Sequence, residues 1–161
     1  MYDFLAWLEA SVLGHAVREA GVWTYGVLNL AHILGVATLF GSILILDLRL
    51  LGLWRRAALG AIAAPAVPLA AAGFVLAAGS GLCMLTTNAT EYAGNPFLLI
   101  KFPAITLGLL NVAVLHKLPG WGARDLREPL PRERSQLALA GGASLACWLT
   151  AITAGRMIGY W

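Results

Sequence analysis

Apolar residues do not alternate along this chain; they come in long runs. Stretches without charge cover residues 20–46, 57–90, 92–100 continuing through 102–115, and 135–155. Each supplies the roughly 20 residues that a helix needs to cross about 30 Å of hydrocarbon. None carries the polar stripe by which a helix of a soluble bundle meets water. The pattern predicts spanning helices over about 22–46, 68–87, 96–116 and 136–160. The third opens at "NPF", where Asn95 can cap and Pro96 takes the first helical position. The Ala-rich "ALGAIAAPAVPLAAAG" reads as a loop with two prolines that enters the second helix. Residues 2–19 differ: Phe4, Leu5, Trp7, Leu8, Val12 and Leu13 oppose Asp3, Glu9, Arg18 and Glu19. That segment is too short and too charged to span, which predicts an amphipathic helix lying in the interface. The fold class expected is all-α, a single transmembrane domain over 1–161: an integral membrane four-helix bundle preceded by this interfacial helix.

Composition agrees with the pattern and charge orients it. The 161 residues are 60% apolar and 12% charged, with mean hydropathy +0.77, whereas a soluble domain is about 25% charged. Arg49, Arg55 and Arg56 lie in one loop and Lys117, Arg124, Arg127, Arg132 and Arg134 in another, while "TTNATEYAGNP" between helices two and three has no base. The positive-inside rule then puts both basic loops in the cytoplasm and both termini on the outer side of a bacterial inner (plasma) membrane. The net charge of +3 is a topology signal, and no nucleic-acid partner is expected. The opening residues lack the positive n-region of a cleavable signal. Cys83 and Cys147 lie apart in apolar runs, as buried small hydrophobes rather than a disulfide pair. No catalytic triad, phosphate-binding glycine loop, zinc spacing or paired-carboxylate site is present, so hydrolytic and nucleotide chemistry are not expected; an enzyme here would be a redox one.

One residue stands out against this background. His32 is the sole side chain between Glu19 and Asp47 that can take up a proton near neutral pH, about 15 Å below the outer end of helix one at 1.5 Å per residue. The same depth falls near Gly79 and Ser80 on helix two, near Ile105 and Thr106 on helix three and near Thr150 on helix four. An ionisable residue at that depth finds a partner or performs a function. The readings are haem or metal ligation, a neutral hydrogen bond to a neighbouring helix, or a proton relay. Tyr25, Asn29 and Gly35 share its face, and Gly73, Ala77, Ser80, Gly81 and Met84 line one side of helix two. Small residues there either let helices approach or leave room for a flat ligand. Lys101 and Arg156 lie nearer the outer surface, where they snorkel or hold an acidic group such as a propionate. His116, at the far end of helix three, is too distant to ligate the same iron and reads as an end cap beside Lys117. His15 is either a surface residue or a second axial ligand from above. Asp47 and Arg49 read as a local ion pair or loop anchor.

The segments "LNLAHILGVATLFGSILILDLRLLGL", "GNPFLLIKFPAITLGLLNVAVLH" and "AGRMIGYW" resemble an uncharacterised bacterial family of four-helix membrane proteins, a domain of unknown function. More distantly, an early His followed by a Lys-bearing "NPFxxxK"-like helix that ends in His is similar to the copper-resistance protein D group. It is similar also to the HemJ-type membrane protoporphyrinogen oxidases, which are haem-b proteins. That resemblance implies roles for His32 and Lys101; no copper-binding cluster of Met and His accompanies it. The function expected is b-type haem binding for electron transfer, linked to quinone or a redox partner protein. His32 would be the metal ligand, Lys101 and Arg156 the propionate partners, and Tyr25 or Asn29 would support the site. The alternatives are a small transporter or channel subunit with a polar path at His32, Asn29 and Lys101, or a structural membrane subunit. Glycine-lined faces also suggest a homo-oligomer in the lipid bilayer.

Overall fold

The computed structural model describes residues 2–161, the side chain of residue 22 apart. Among the described residues there are seven α-helices, two 3₁₀ turns and no strand. In chain order the helices are α1 (Tyr2–Glu9), α2 (Val12–Glu19), α3 (Val22–Leu50), α4 (Leu59–Thr87), α5 (Pro96–Lys117), α6 (Pro119–Gly122) and α7 (Pro131–Met157). The 3₁₀ turns are Ala89–Tyr92 and Ile158–Tyr160. Four helices are long and apolar enough to cross a membrane, over Trp23–Leu50, Leu59–Thr87, Pro96–Lys117 and Pro131–Tyr160. The fold class expected from the hydrophobic runs is therefore the one observed: all-α, with four membrane-spanning lengths of helix.

Several boundaries differ from the sequence reading, each for a local reason. The single amphipathic helix over 2–19 is two helices, because Ser11 breaks the run and caps α2, accepting from Gly14 N at 3.2 Å. The second spanning helix starts nine residues earlier than 68, at Leu59, so that the proline-bearing stretch is helical and Pro65 and Pro68 lie inside it. Leu59, Ala63 and Ala66, spaced at helical intervals, are buried in the core and hold that segment in register. The missing amide donors are tolerable in a membrane helix whose neighbours stabilise the backbone. Helix α3 runs on past 46 to Leu50 and takes in Asp47 and Arg49, both buried. The fourth span starts at Pro131, in the first helical position, with Glu133 accepting from Leu130 N at 2.8 Å.

The chain forms two compact units, residues up to Leu39 with Ala71–Pro96, and Phe40–Ala70 with Phe97–Trp161. In the first, α2 is fastened to the end of α4, and α1 to the 3₁₀ turn that follows it. The Glu9 carboxylate accepts from Thr90 N at 2.8 Å and Thr90 Oγ1 at 2.7 Å. Arg18 donates to the carbonyls of Thr86, Thr87 and Glu9 at 3.3, 3.0 and 2.9 Å. A guanidinium thus meets the last carbonyls of α4, where the helix dipole favours positive charge. The second unit is built on an apolar core that includes Leu46, Leu50, Leu59, Leu115, Trp121 and Leu137. Short α6 exists to deliver Trp121 into that core, where it is 2% exposed.

Candidate functional site

His32, Gly35 and Leu39 recur at helical spacing along α3 and meet Gly73, Ala77 and Gly81 of α4 within the first unit. The contact between the two helices is backbone on backbone. A methyl at Gly35 would lie 2.6 Å from Ala77 N, and one at Gly73 would lie 2.8 Å from Gly35 O and nearer still to Leu39 N. Glycine is required at both positions because any side chain would separate the helices. Next to this seam, the His32 imidazole occupies the space that a side chain at Gly81 would take, with Cε1 2.9 Å from the position of that Cβ.

Nδ1 anchors the ring to α4. His32 Nδ1 lies 2.8 Å from Ala77 O and 3.3 Å from Ser80 Oγ. Ala77 O can only accept, so Nδ1 carries the proton, and in the neutral ring Nε2 carries the lone pair. Ser80 Oγ donates to Leu76 O at 2.6 Å, which leaves its oxygen as a further acceptor for Nδ1–H. The depth count that set His32 level with Gly79 and Ser80 thus matches the partner it has.

The remaining predicted residues distribute between the two units. In the first, Tyr25 and Asn29 lie on the same α3 face as His32, two turns and one turn toward the helix start, and both are exposed. Tyr25 neighbours Tyr92, whose phenol is pushed above its ordinary value by burial first and then by Tyr25 and Glu91. His15 is exposed on α2. In the second unit, Lys101 is half-buried on α5 and packs against Gly155 of α7, where a methyl would lie 3.4 Å from Nζ. Arg156 follows directly; its guanidinium stacks 4.6 Å over the Tyr160 ring and donates to the Tyr160 hydroxyl. Lys101 and Arg156 are therefore neighbours at one end of that unit. Neither is in an ion pair among the described residues.

His116 bonds its own helix, Nδ1 to Val112 O at 2.8 Å, and meets Trp121 edge-on, in keeping with an end-cap role. Asp47 and Arg49 do not pair with each other; two residues apart on a helix, they face different directions. Asp47 instead lies beside the Ser144 hydroxyl on α7, with Oδ2 buried and unbonded. Of the two readings, local ion pair or loop anchor, Arg49 follows the second, through partners outside α3: Ala57 O at 2.8 Å from Nε and Glu128 at 3.1 Å from Nη2. Ser144 was detectable as a lone hydroxyl in the run "GGASLAC"; Glu128, 79 residues from Arg49, was not. Cys83 and Cys147 are free thiols. Among the described residues no three His, Cys, Asp or Glu side chains gather into a metal-holding group.

Four apolar spans and a histidine seated between two of them define a polytopic helical membrane protein. The chain belongs to a family of unknown function, DUF6644, whose model matches residues 4–161. No curated protein and no solved structure matches it.

Proposed function

We propose that the chain binds one b-type haem through His32 Nε2 in a bacterial inner membrane, with both termini outside, and serves electron transfer to or from quinone or a redox protein. The observation that carries this reading is the Nδ1 anchor on Ala77 O at 2.8 Å. A histidine that ligates a metal donates its other ring N–H to a carbonyl, carboxylate or water, which fixes the tautomer and raises the basicity of the ligating nitrogen. His32 fits that requirement. The α3–α4 seam is closed backbone to backbone at Gly35 and Gly73, so a haem would have to be held outside it, and Nε2 is the nitrogen that carries the lone pair in this tautomer. The chemistry a bound haem supplies is one-electron transfer, with a potential set by its ligands and surroundings. The chain's own contribution is to hold a neutral imidazole at fixed orientation, using a carbonyl as acceptor and a glycine to make room.

A second reading, a transporter or channel subunit for a small anion or for protons, is favoured by Lys101. Its ammonium is half-buried within a span and outside any ion pair among the described residues, an arrangement that marks ion pathways in membrane helices. The test begins with an absorption spectrum of the full chain purified in detergent from haem-replete cells. A Soret band that disappears in His32→Ala while circular dichroism is retained supports haem. A colourless, folded preparation overturns it, and flux assays in liposomes with Lys101→Met then decide the second reading.

A further inference from the structure

We infer that the second unit carries a phospholipid site that grips an anionic headgroup phosphate with Arg49, Arg55 and Arg134. These three side chains, with Glu128 as the one acid, line a cavity of about 260 Å³ at the ends of α3 and α7. Three positive charges against one negative make a site for an anion. The volume lies below the roughly 300–1,000 Å³ of pockets that take whole drug-sized ligands, and suits a headgroup. Each arginine is held at its Nε by a backbone carbonyl: Arg49 by Ala57 at 2.8 Å, Arg55 by Gly52 at 3.1 Å and Arg134 by Pro129 at 2.9 Å. Anchoring at Nε fixes the guanidinium plane and leaves the terminal nitrogens of Arg55 and Arg134 to carry the recognition, while Arg49 already gives Nη2 to Glu128 at 3.1 Å. Among the described residues, Arg55 and Arg134 form no ion pair, and Glu128 is engaged by Arg49. Two of the three forks are thus uncompensated, in the geometry that recognises phosphate.

The cavity continues into a groove, and the groove argues for a lipid over free phosphate. Leu51, Ser135 and Ala138 line both; the groove then follows α7 past Leu139 to Gly142 and Ala143, two turns into an apolar span. A charged cup at the span's end opening onto a shallow apolar groove along the helix has the polarity of a phospholipid, phosphate in the cup and acyl chain along the groove. Basic pockets between helices at a membrane surface bind anionic headgroups in this way.

The full chain in detergent is titrated with dioleoyl phosphatidylglycerol, dioleoyl phosphatidylcholine and inorganic phosphate, reading thermal midpoint and native mass spectra. Phosphatidylglycerol is expected to raise the midpoint and to remain bound, and the other two to do neither. At about 1 kcal/mol per arginine near the surface, a factor of about five each, the pair Arg55→Gln with Arg134→Gln should weaken binding on the order of thirtyfold. Arg132→Gln removes an exposed charge outside the cavity and should bind as the parent does. Ala138→Phe keeps every charge but fills the junction of cup and groove, and should also lose the lipid, which covers the case in which the double variant does not fold. Equal binding of both lipids, an equal loss in Arg132→Gln, or unchanged binding in Ala138→Phe overturns the inference. Stabilisation by inorganic phosphate alone assigns the cavity to the free anion instead.

Discussion

Gly73→Ala tests whether the α3–α4 seam is what seats His32. The added methyl would lie 2.8 Å from Gly35 O and 2.9 Å from Leu39 Cα, with Leu39 N closer still. Carbon contacts are optimal at about 3.5–4.0 Å, so α3 has to retreat by about 1 Å; the opposing atoms are backbone and cannot rotate away. Overpacking of this kind costs about 1–3 kcal/mol. A retreat of 1 Å also stretches the His32–Ala77 bond from 2.8 Å beyond hydrogen-bonding range, a loss of about 0.6 kcal/mol for a polar contact between membrane helices. Replacing glycine in a helix returns up to about 1 kcal/mol. The net expectation is a destabilisation of about 1–3 kcal/mol. Gly79→Ala is the internal control: it lies on the same helix with nothing within 4 Å of the added carbon, and should be neutral or mildly stabilising. Unfolding in mixed micelles by titration with dodecyl sulfate, followed by circular dichroism, measures both variants. Equal stability of Gly73→Ala and Gly79→Ala would refute the reasoning.

Other perturbations probe the remaining contacts. Arg49→Ala strips the partner from Ala57 O at a side chain only 7% exposed and should cost about 1–3 kcal/mol in the same titration; Glu128→Gln, at a half-exposed carboxylate, should cost less than about 1 kcal/mol. The bonds from Thr90 hold the Glu9 carboxyl below its ordinary value of 4.5, so docking of α1 is at full strength above that value and is lost as pH falls through the lowered one. Protection of the Thr90 amide, its hydrogen-exchange rate taken relative to the intrinsic rate at each pH, should therefore fall on acidification below about pH 4.5, and Glu9→Gln should remove that fall; constant protection in the parent protein would exclude the clasp. Orientation is checked by thiol labelling of intact cells in a background without Cys83 and Cys147: Glu91→Cys should react from outside, and Ala58→Cys only after permeabilisation.

Much of this was written in the order of residues. Uncharged runs long enough for hydrocarbon define the four spans, because no other arrangement satisfies both side chains and backbone in lipid. The depth count brought His32 level with Ser80, since a helix rises by a fixed step and the distance from the membrane surface follows from position alone. Helix starts were harder. Prolines at 65 and 68 read as loop, yet Leu59, Ala63 and Ala66 gain enough from packing to continue the helix through them. The break at Ser11 was hidden because the amphipathic pattern carries on across it. Partners distant in sequence, such as Glu128 for Arg49, follow from loop paths that local pattern does not encode.

The fastening of α1 and α2 to the last turn of α4 and the 3₁₀ turn beyond it has a practical side. Arg18 and Glu9 join α1, α2, the end of α4 and the 3₁₀ turn after it through five hydrogen bonds, so the chain's beginning rides with the tip of a spanning helix instead of drifting over the lipid. A fluorophore on exposed Tyr2 or Phe4 would register any tilt or piston motion of that helix from a point outside the hydrocarbon.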